Sequence, residues 1–283
     1  MRIFFITVFL FFSITTSAPA EESRELIFSV HPFVSARELH KSFSPLIAYL
    51  EKRIDRKIKL TVAKSYEENI TNLGNDLADI VYIGPAAYVA MSEIYPKKRI
   101  LACLTVNGNP TFKGYIFTKA DNPAQKLADL AGKSFASSSK QSTMSYVVPR
   151  YMFIKAGAPF PEKELQIRGN HNNIALAVLV GDVNAGAVKE KTYHKYEDRG
   201  LKAIAITPEI PEHPFVAGNK MDGETYKEIK QAMLEIKSPE DVKRLLKPIK
   251  KTLTGLSDVQ DSDYDILREI YRAVKADETM AKE

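Results

Sequence analysis

One stretch of the chain, Ser137-Ser138-Ser139-Lys140-Gln141-Ser142-Thr143-Met144-Ser145, gathers hydroxyls and backbone amides into a short loop. It sits just ahead of an apolar, helix-compatible segment from Tyr146 to Ile154. A helix amino terminus offers N–H groups without intrahelical partners and a partial positive charge. Hydroxyls beside it complete a neutral cradle for a tetrahedral oxyanion. Taken alone, the run fits better a cluster of N-cap residues in a polar turn. His171, after Gly169-Asn170, is open to the same two readings. It could donate to an anion, as a neutral or charged imidazole, or it could be a cap or core histidine satisfied by backbone.

No catalytic signature accompanies these residues. The chain has no Gly-x-Ser-x-Gly elbow, no Gly-x-x-x-x-Gly-Lys-Ser/Thr loop and no His-Glu-x-x-His. Ser142 with His171 could imitate a nucleophile–base pair, which keeps a serine-dependent hydrolase as a third reading. No third residue of orienting role is visible, and the density of hydroxyls suits anion capture better. Neither a cofactor nor a metal site is expected. The single Cys103, in the apolar run Ile100 to Val106, can form no internal disulfide and reads as a small buried residue.

Arg2, the apolar run Ile3 to Phe12 and Ser17-Ala18-Pro19-Ala20 read as a secretory signal cleaved near Ala20. The run is too short to span a bilayer permanently. A soluble, periplasmic mature protein is therefore expected. Over the 283 residues the composition, 45% hydrophobic and 27% charged, is that of globular proteins. Loss of Arg2 with the signal lowers the formal charge from +5 to +4. Lysine clusters such as Lys97-Lys98-Arg99 alternate with acidic stretches, a pattern of solvated surface rather than of nucleic-acid binding. Anionic small molecules remain suitable partners.

The elements that must position the loop alternate. Leu26 to Val30 reads as a strand, and Ala36 to Ile54 as a helix carrying Leu39, Phe43, Leu46, Ile47 and Leu50 on one face. Ile58 to Ala63, Asp79 to Ile83, Gly132 to Ala136, Leu165 to Arg168, Val183 to Val188 and Ala203 to Ile206 read as further strands, with helices between them. The order predicts a parallel sheet covered on both faces. The tail from Gly223 to Ala276 reads as helical and charged, with a loop around Thr252 to Asp261. Gly114 to Lys119 and Ile206 to Pro211 are the two places where the chain could pass between lobes. The expected architecture is α/β, two-lobed, with two hinge-crossing strands. The expected division is a signal at 1–20, a discontinuous first lobe at 21–116 plus 209–283, and a second lobe at 117–208.

Along residues 25–275 the chain resembles the periplasmic phosphate/phosphite/phosphonate-binding proteins that feed ABC importers, a branch of the type II (Venus flytrap) binding proteins. The resemblance rests on an ordered set of short pieces. They are Phe43-Ser44-Pro45-Leu46 with Tyr49-Leu50-Glu51, Ser65-Tyr66, Asp79-Ile80, Gly84-Pro85-Ala86-Ala87-Tyr88 and Gly114-Tyr115. Ser142-Thr143 with Pro149, Gly169-Asn170-His171, Ile210-Pro211 and Asp263-Tyr264-Asp265 complete it.

The resemblance implies an oxyanion site made by Ser142, Thr143 and His171, and cleft walls formed by Tyr66 and Tyr115. Met144 stands at the loop's third hydroxyl position, so Ser145 is the candidate substitute. Tyr66 could instead pack on its lobe's surface, and Tyr115 in a core. Two acidic positions that pair with a ligand ammonium in the family correspond here to Lys191 and His213. This implies that an aminoalkyl phosphonate is a poor ligand and a small or doubly acidic oxyanion a better one, unless Lys191 points to solvent. The implied role is delivery of the anion to the membrane permease of an ABC importer, by a monomer. The alternative is presentation of the anion to a membrane histidine kinase or chemoreceptor.

Overall fold

The computed structural model describes residues 24–280, so the expected signal segment lies outside the described residues. The apolar stripe of Leu39, Phe43, Leu46, Ile47 and Leu50 is buried along α1 (Ala36–Ile54), which opens on a capping box between Ser35 and Glu38. Around it the first lobe builds β1 (Leu26–Val30), β2 (Ile58–Val62), α2 (Tyr66–Gly74), β3 (Ile80–Tyr82), α3 (Pro85–Ser92) and β4 (Arg99–Val106). A short strand, β5 (Thr111–Phe112), leads out of it. The second lobe follows with β6 (Gly114–Lys119), β7 (Phe135–Ser137), a π-helical turn Thr143–Val147 running into α4 (Val148–Lys155), and β8 (Leu165–Ile167). α5 (His171–Leu179), β9 (Ala185–Lys189), α6 (Glu190–Tyr196) and β10 (Leu201–Ile206) complete it. The chain returns through β11 (Ile210–Pro211) to β12 (Pro214–Ala217) and α7 (Gly223–Leu234). It ends with α8 (Pro239–Asp241), a π turn Val242–Leu246, β13 (Leu253–Ser257) and α9 (Asp265–Met280).

The first lobe's sheet has the order β13-β4-β12-β3-β1-β2, and the second lobe's β10-β6-β9-β7-β8. Both are mixed rather than parallel. β1 pairs in parallel with β2 and β3, but β12 runs antiparallel to both β3 and β4. Alternation of strands and helices predicts parallel pairing only within each βαβ unit. β12 arrives from the far side of an inserted lobe, and nothing local to it specifies its direction. Leu253–Ser257, expected as loop, is β13, an edge strand against β4. A glycine and two hydroxyl residues in five positions hide it.

The crossing matches expectation at Ile206 to Pro211, which holds β11, and differs at the first passage. Gly114–Lys119 is not a connector but a central strand of the second sheet. The two passages lie just before it and just after β10, where β5 and β11 pair antiparallel, Ile210 opposite Phe112. Gly114 and Thr207 lock this ribbon. The Gly114 N–H donates to Thr207 Oγ1 at 2.8 Å, and the Thr207 N–H to the Gly114 carbonyl at 2.9 Å. A β-carbon on residue 114 would lie 2.7 Å from the Val188 carbonyl oxygen, so only glycine fits.

Behind the ribbon the lobes share one apolar cluster. Met144, Tyr146, Val147 and Val148 of the second lobe are buried with Ala86, Ala87 and Val89 of α3 and Leu267, Ile270 and Val274 of α9. Arg150 on α4 is 2% exposed. Its Nε donates to Asp277 at 2.8 Å, and its Nη1 donates to both Glu162 and the Tyr146 hydroxyl. Tyr146 in turn donates to Glu278 at 2.8 Å. The Arg150→Met variant keeps most of the packing volume and loses these charge-assisted bonds. It is expected to lower unfolding free energy in urea by about 1.5–3 kcal/mol. An unchanged midpoint would show that α9 is held by apolar contact alone.

Candidate functional site

Between the two sheets lies a cavity of about 900 Å³. Its second-lobe wall includes Ser138, Ser142, Thr143, His171, Lys189 and Lys191. Its first-lobe wall includes His31, Tyr66, Tyr82, His213 and Lys250. The loop and His171, far apart in sequence, therefore meet on one opening.

Ser142 is the N-cap of the π turn, its Oγ accepting the Ser145 N–H at 3.3 Å. Thr143 does something the sequence does not announce. α3 starts at Gly84, which has no side chain to cap it, and Thr143 Oγ1 accepts the N–H of Ala86 at 3.1 Å. The first lobe's helix is capped by a hydroxyl from the second lobe, and that hydroxyl keeps its own proton to donate.

Ser145 is not a wall residue. It is fully buried, 3.0 Å from Ser137 Oγ and 2.8 Å from Ser138 Oγ, and accepts the Ser138 N–H at 3.0 Å. The helix begins early enough to turn it inward, so it braces the loop from behind. The third hydroxyl on the wall is Ser138, which the resemblance passed over. Met144 is 2% exposed, its Sδ 3.5 Å from Thr207 Oγ1 beside the hinge ribbon.

His171 opens α5 behind Asn170, whose side chain accepts the Asn173 N–H. Its Nδ1 is buried without a hydrogen-bond partner among the described residues. Burial, then the charges of Lys189, the neighbouring His213 and Lys250, hold its pKa well below the ordinary histidine range. It stands on the cavity wall as a neutral imidazole. Tyr66 opens α2 on the opposite wall, its ring 4.7 Å from that of His31. Burial pushes its hydroxyl up to about 12, so it too stays a neutral donor.

Tyr115 is misplaced by the resemblance. On β6 it shares a face with Phe117 and points into the second lobe's core, stacked on Tyr193 with centroids 4.3 Å apart. It does not line the cavity.

Lys191 is exposed on α6 but stands on the cavity wall. Burial and the charges of Lys250, Lys251 and Lys195 lower its pKa. His213 stacks on Tyr82 and His31 and bonds Glu212 Oε2 through Nδ1 at 2.8 Å. A carboxylate only accepts, so the proton sits on Nδ1. Glu212 is fully buried and also binds Lys250. Burial would raise its pKa, but the His213 bond and the Lys250 charge outweigh it and hold the carboxyl well below the usual range. Sequence reasoning missed Glu212, Lys189, Lys250 and Lys251. The Lys250-Lys251 pair was the one available signal, unreadable without knowing that its loop faces the cleft. Among the described residues no group of His, Cys, Asp or Glu is placed to hold a metal ion. None of their helices is long and apolar enough to cross a membrane.

His31 gives the site a pH signature. It is 2% exposed, and burial, then the nearby His213 and Lys189, lower its pKa to about 3 despite the Tyr82 carbonyl. The unfolded chain protonates it near ~6.5, so between these values the unfolded state holds the extra proton. Stability therefore falls as pH drops through that window and returns as pH rises. Urea unfolding at pH 5 should give about 2 kcal/mol less than at pH 7 from this residue. That part of the difference should vanish in His31→Gln; an equal loss in the variant would assign it elsewhere.

Residues 28–264 match the family described as ABC transporter, phosphonate, periplasmic substrate-binding protein. The "Phosphate-import protein PhnD" of Mycolicibacterium smegmatis is 26% identical over 267 residues, covering 84% of this chain and 82% of that protein. The "Phosphonates-binding periplasmic protein" of Escherichia coli is 22% identical over 224 residues, covering 75% of this chain and 66% of that one. The solved structure of PhnD1 from Prochlorococcus marinus in complex with methylphosphonate superposes with a TM-score of 0.76 at 20% identity. It covers 88% of this chain and 98% of that one.

Proposed function

The chain belongs to the phosphonate-type periplasmic substrate-binding proteins of ABC transporters, and from that premise we propose that it captures a phosphorus oxyanion for import. The observation that carries the reading is the convergence of Ser142, Thr143 and His171, with Ser138 beside them, on one cavity between two lobes. All are uncharged donors, and Tyr66 faces them from the first lobe. A tetrahedral anion seated on the turn accepts from the hydroxyls and from the free backbone N–H groups behind them. Each charge-assisted bond contributes about 1.5–3 kcal/mol, so a few reach the roughly 8 kcal/mol of micromolar binding. Closure over the ligand gives the permease a shape to recognise. The protein acts in the periplasm, after loss of a signal ending near Ala20.

Binding without turnover fits this site better than hydrolysis. A serine nucleophile needs a base oriented by a third group. The buried carboxylate of the cleft, Glu212, is bonded to His213 and Lys250, while Nδ1 of His171 has no partner among the described residues.

Calorimetry with phosphate, phosphite, methylphosphonate and sulfate tests the assignment. At least one phosphorus anion should bind in the micromolar range or tighter. Thr143→Val should weaken it by about tenfold or more, the loss of one charge-assisted bond. 2-Aminoethylphosphonate should bind more weakly than ethylphosphonate, because its ammonium would face Lys191. A folded protein giving no heat with any of these anions would overturn the reading.

A further inference from the structure

The oxyanion cradle leaves most of the cavity unexplained. A single tetrahedral anion fills on the order of 100 Å³, a few water volumes, of the roughly 900 Å³ available. The remaining wall is unusually basic. Lys189, Lys191, Lys195, Lys247, Lys250 and Lys251 line it, against two carboxylates, Glu38 and Glu212. Neither carboxylate is free to answer a ligand or the other lysines. Glu38 closes the capping box with Ser35, and Glu212 holds Lys250 and His213. Lys195 donates to Asn172 at 3.2 Å. Lys189, Lys191, Lys247 and Lys251 make no ion pair among the described residues.

These cations come from both sides of the cleft. Lys189 and Lys191 sit where β9 passes into α6, in the second lobe, while Lys250 and Lys251 sit in the first lobe just before β13. Lysines are strongly hydrated point charges, suited to a carboxylate or phosphoryl group rather than to a neutral or cationic tail. Bringing the two pairs together without an anion between them leaves like charges opposed in a desolvating cleft.

We infer that the cleft holds a second anion subsite, formed by Lys189 and Lys191 of one lobe with Lys250 and Lys251 of the other. Its ligand is accordingly an organophosphorus compound with a second acidic group. The inference rests on the oxyanion reading above and extends it. The phosphono or phosphoryl head sits on Ser142, Thr143 and His171. A carboxylate or second phosphoryl group reaches the lysines and bridges the lobes.

Titration supports the placement. Lys189 is lowered to about 8, by burial first and then by Lys250 and Lys191, with Glu212 opposing. His171 and His31, on the adjoining α5 and β1 sides, respond to the charge of Lys189 in turn. An anion placed among these groups draws protons onto the lysines, so binding of the diacid takes up protons near pH 8.

The test compares 3-phosphonopropionate and pyrophosphate with methylphosphonate and propylphosphonate by calorimetry on the exported chain. The diacids are expected to bind at least about tenfold tighter than the monoacids, one well-placed charge interaction. In Lys191→Gln/Lys251→Gln the ratio should fall toward one. At pH 8, in buffers of different ionisation enthalpy, diacid binding should show proton uptake that the monoacids lack. Preference for 3-phosphonopropionate over pyrophosphate would identify a carboxylate as the second group, and the reverse a phosphoryl. Equal affinities for monoacids and diacids would overturn the second subsite and leave the oxyanion cradle standing. Silence from all four compounds would overturn the second subsite, and silence from phosphate and phosphite as well would overturn the oxyanion cradle.

Discussion

The π turn Thr143–Val147 belongs by connectivity to the second lobe, but its apolar side chains are buried among residues of the first. Met144, Tyr146 and Val147 pack against α3 and α9, and Arg150, one turn further along α4, is tied to the carboxylate of Asp277. Separating the turn from α3 would expose those side chains at about 25 cal/mol per Å² and strand a buried guanidinium. The hydroxyl-bearing turn therefore sits where the lobes are joined.

The cleft separates two kinds of donor. Near the turn the groups are uncharged: three hydroxyls, a tyrosine and a histidine whose pKa is pressed down by burial and by lysine charge. Toward the rim they are ammonium groups with no carboxylate to spare. The arrangement is self-consistent, because burial first and lysine charge second keep His31 and His171 neutral, and neutral histidines do not add to the positive charge. Glu212 tempers the excess: removed from solvent and shared by Lys250 and His213, it fixes one lysine and one imidazole tautomer. Lys189, Lys191, Lys247 and Lys251 have no ion-pair partner among the described residues.

How far this was legible in the sequence depended on whether the signal was local. The stripe on α1 and the hydroxyl run before an apolar helix were readable, since each is a periodicity or a cap within a few residues. Thr143, Ser142 and His171 reach one opening because each stands at a helix start, a property the sequence displays. Tyr115 failed for a reason of period two: on a strand, neighbouring residues face opposite ways, and a motif match does not say which way. Ser145 failed by one residue of helix start, enough to turn its hydroxyl from the cavity to the hydroxyls of Ser137 and Ser138 and the Ser138 N–H. The lysine cluster could not be read at all. Its members are some sixty residues apart, and only the inserted second lobe brings β9 against the loop before β13.

Thr143 shows how ligand and lobe contact can share one atom. Its Oγ1 accepts the Ala86 N–H that Gly84 leaves uncapped, while the hydroxyl donates to no acceptor among the described residues. When an anion takes that proton, the hydroxyl oxygen becomes more electron-rich and a better acceptor, the ordinary cooperativity of linked hydrogen bonds. The bond to α3 then strengthens with the bond to the ligand. A serine would supply the same two bonds, but the threonine methyl also fixes the side-chain rotamer at this buried junction. A valine would lose both bonds and leave the amino terminus of α3 with an orphan donor in an apolar surround. On the proposed reading, the hydroxyl that would take the anion is also the one in contact with the first lobe's helix.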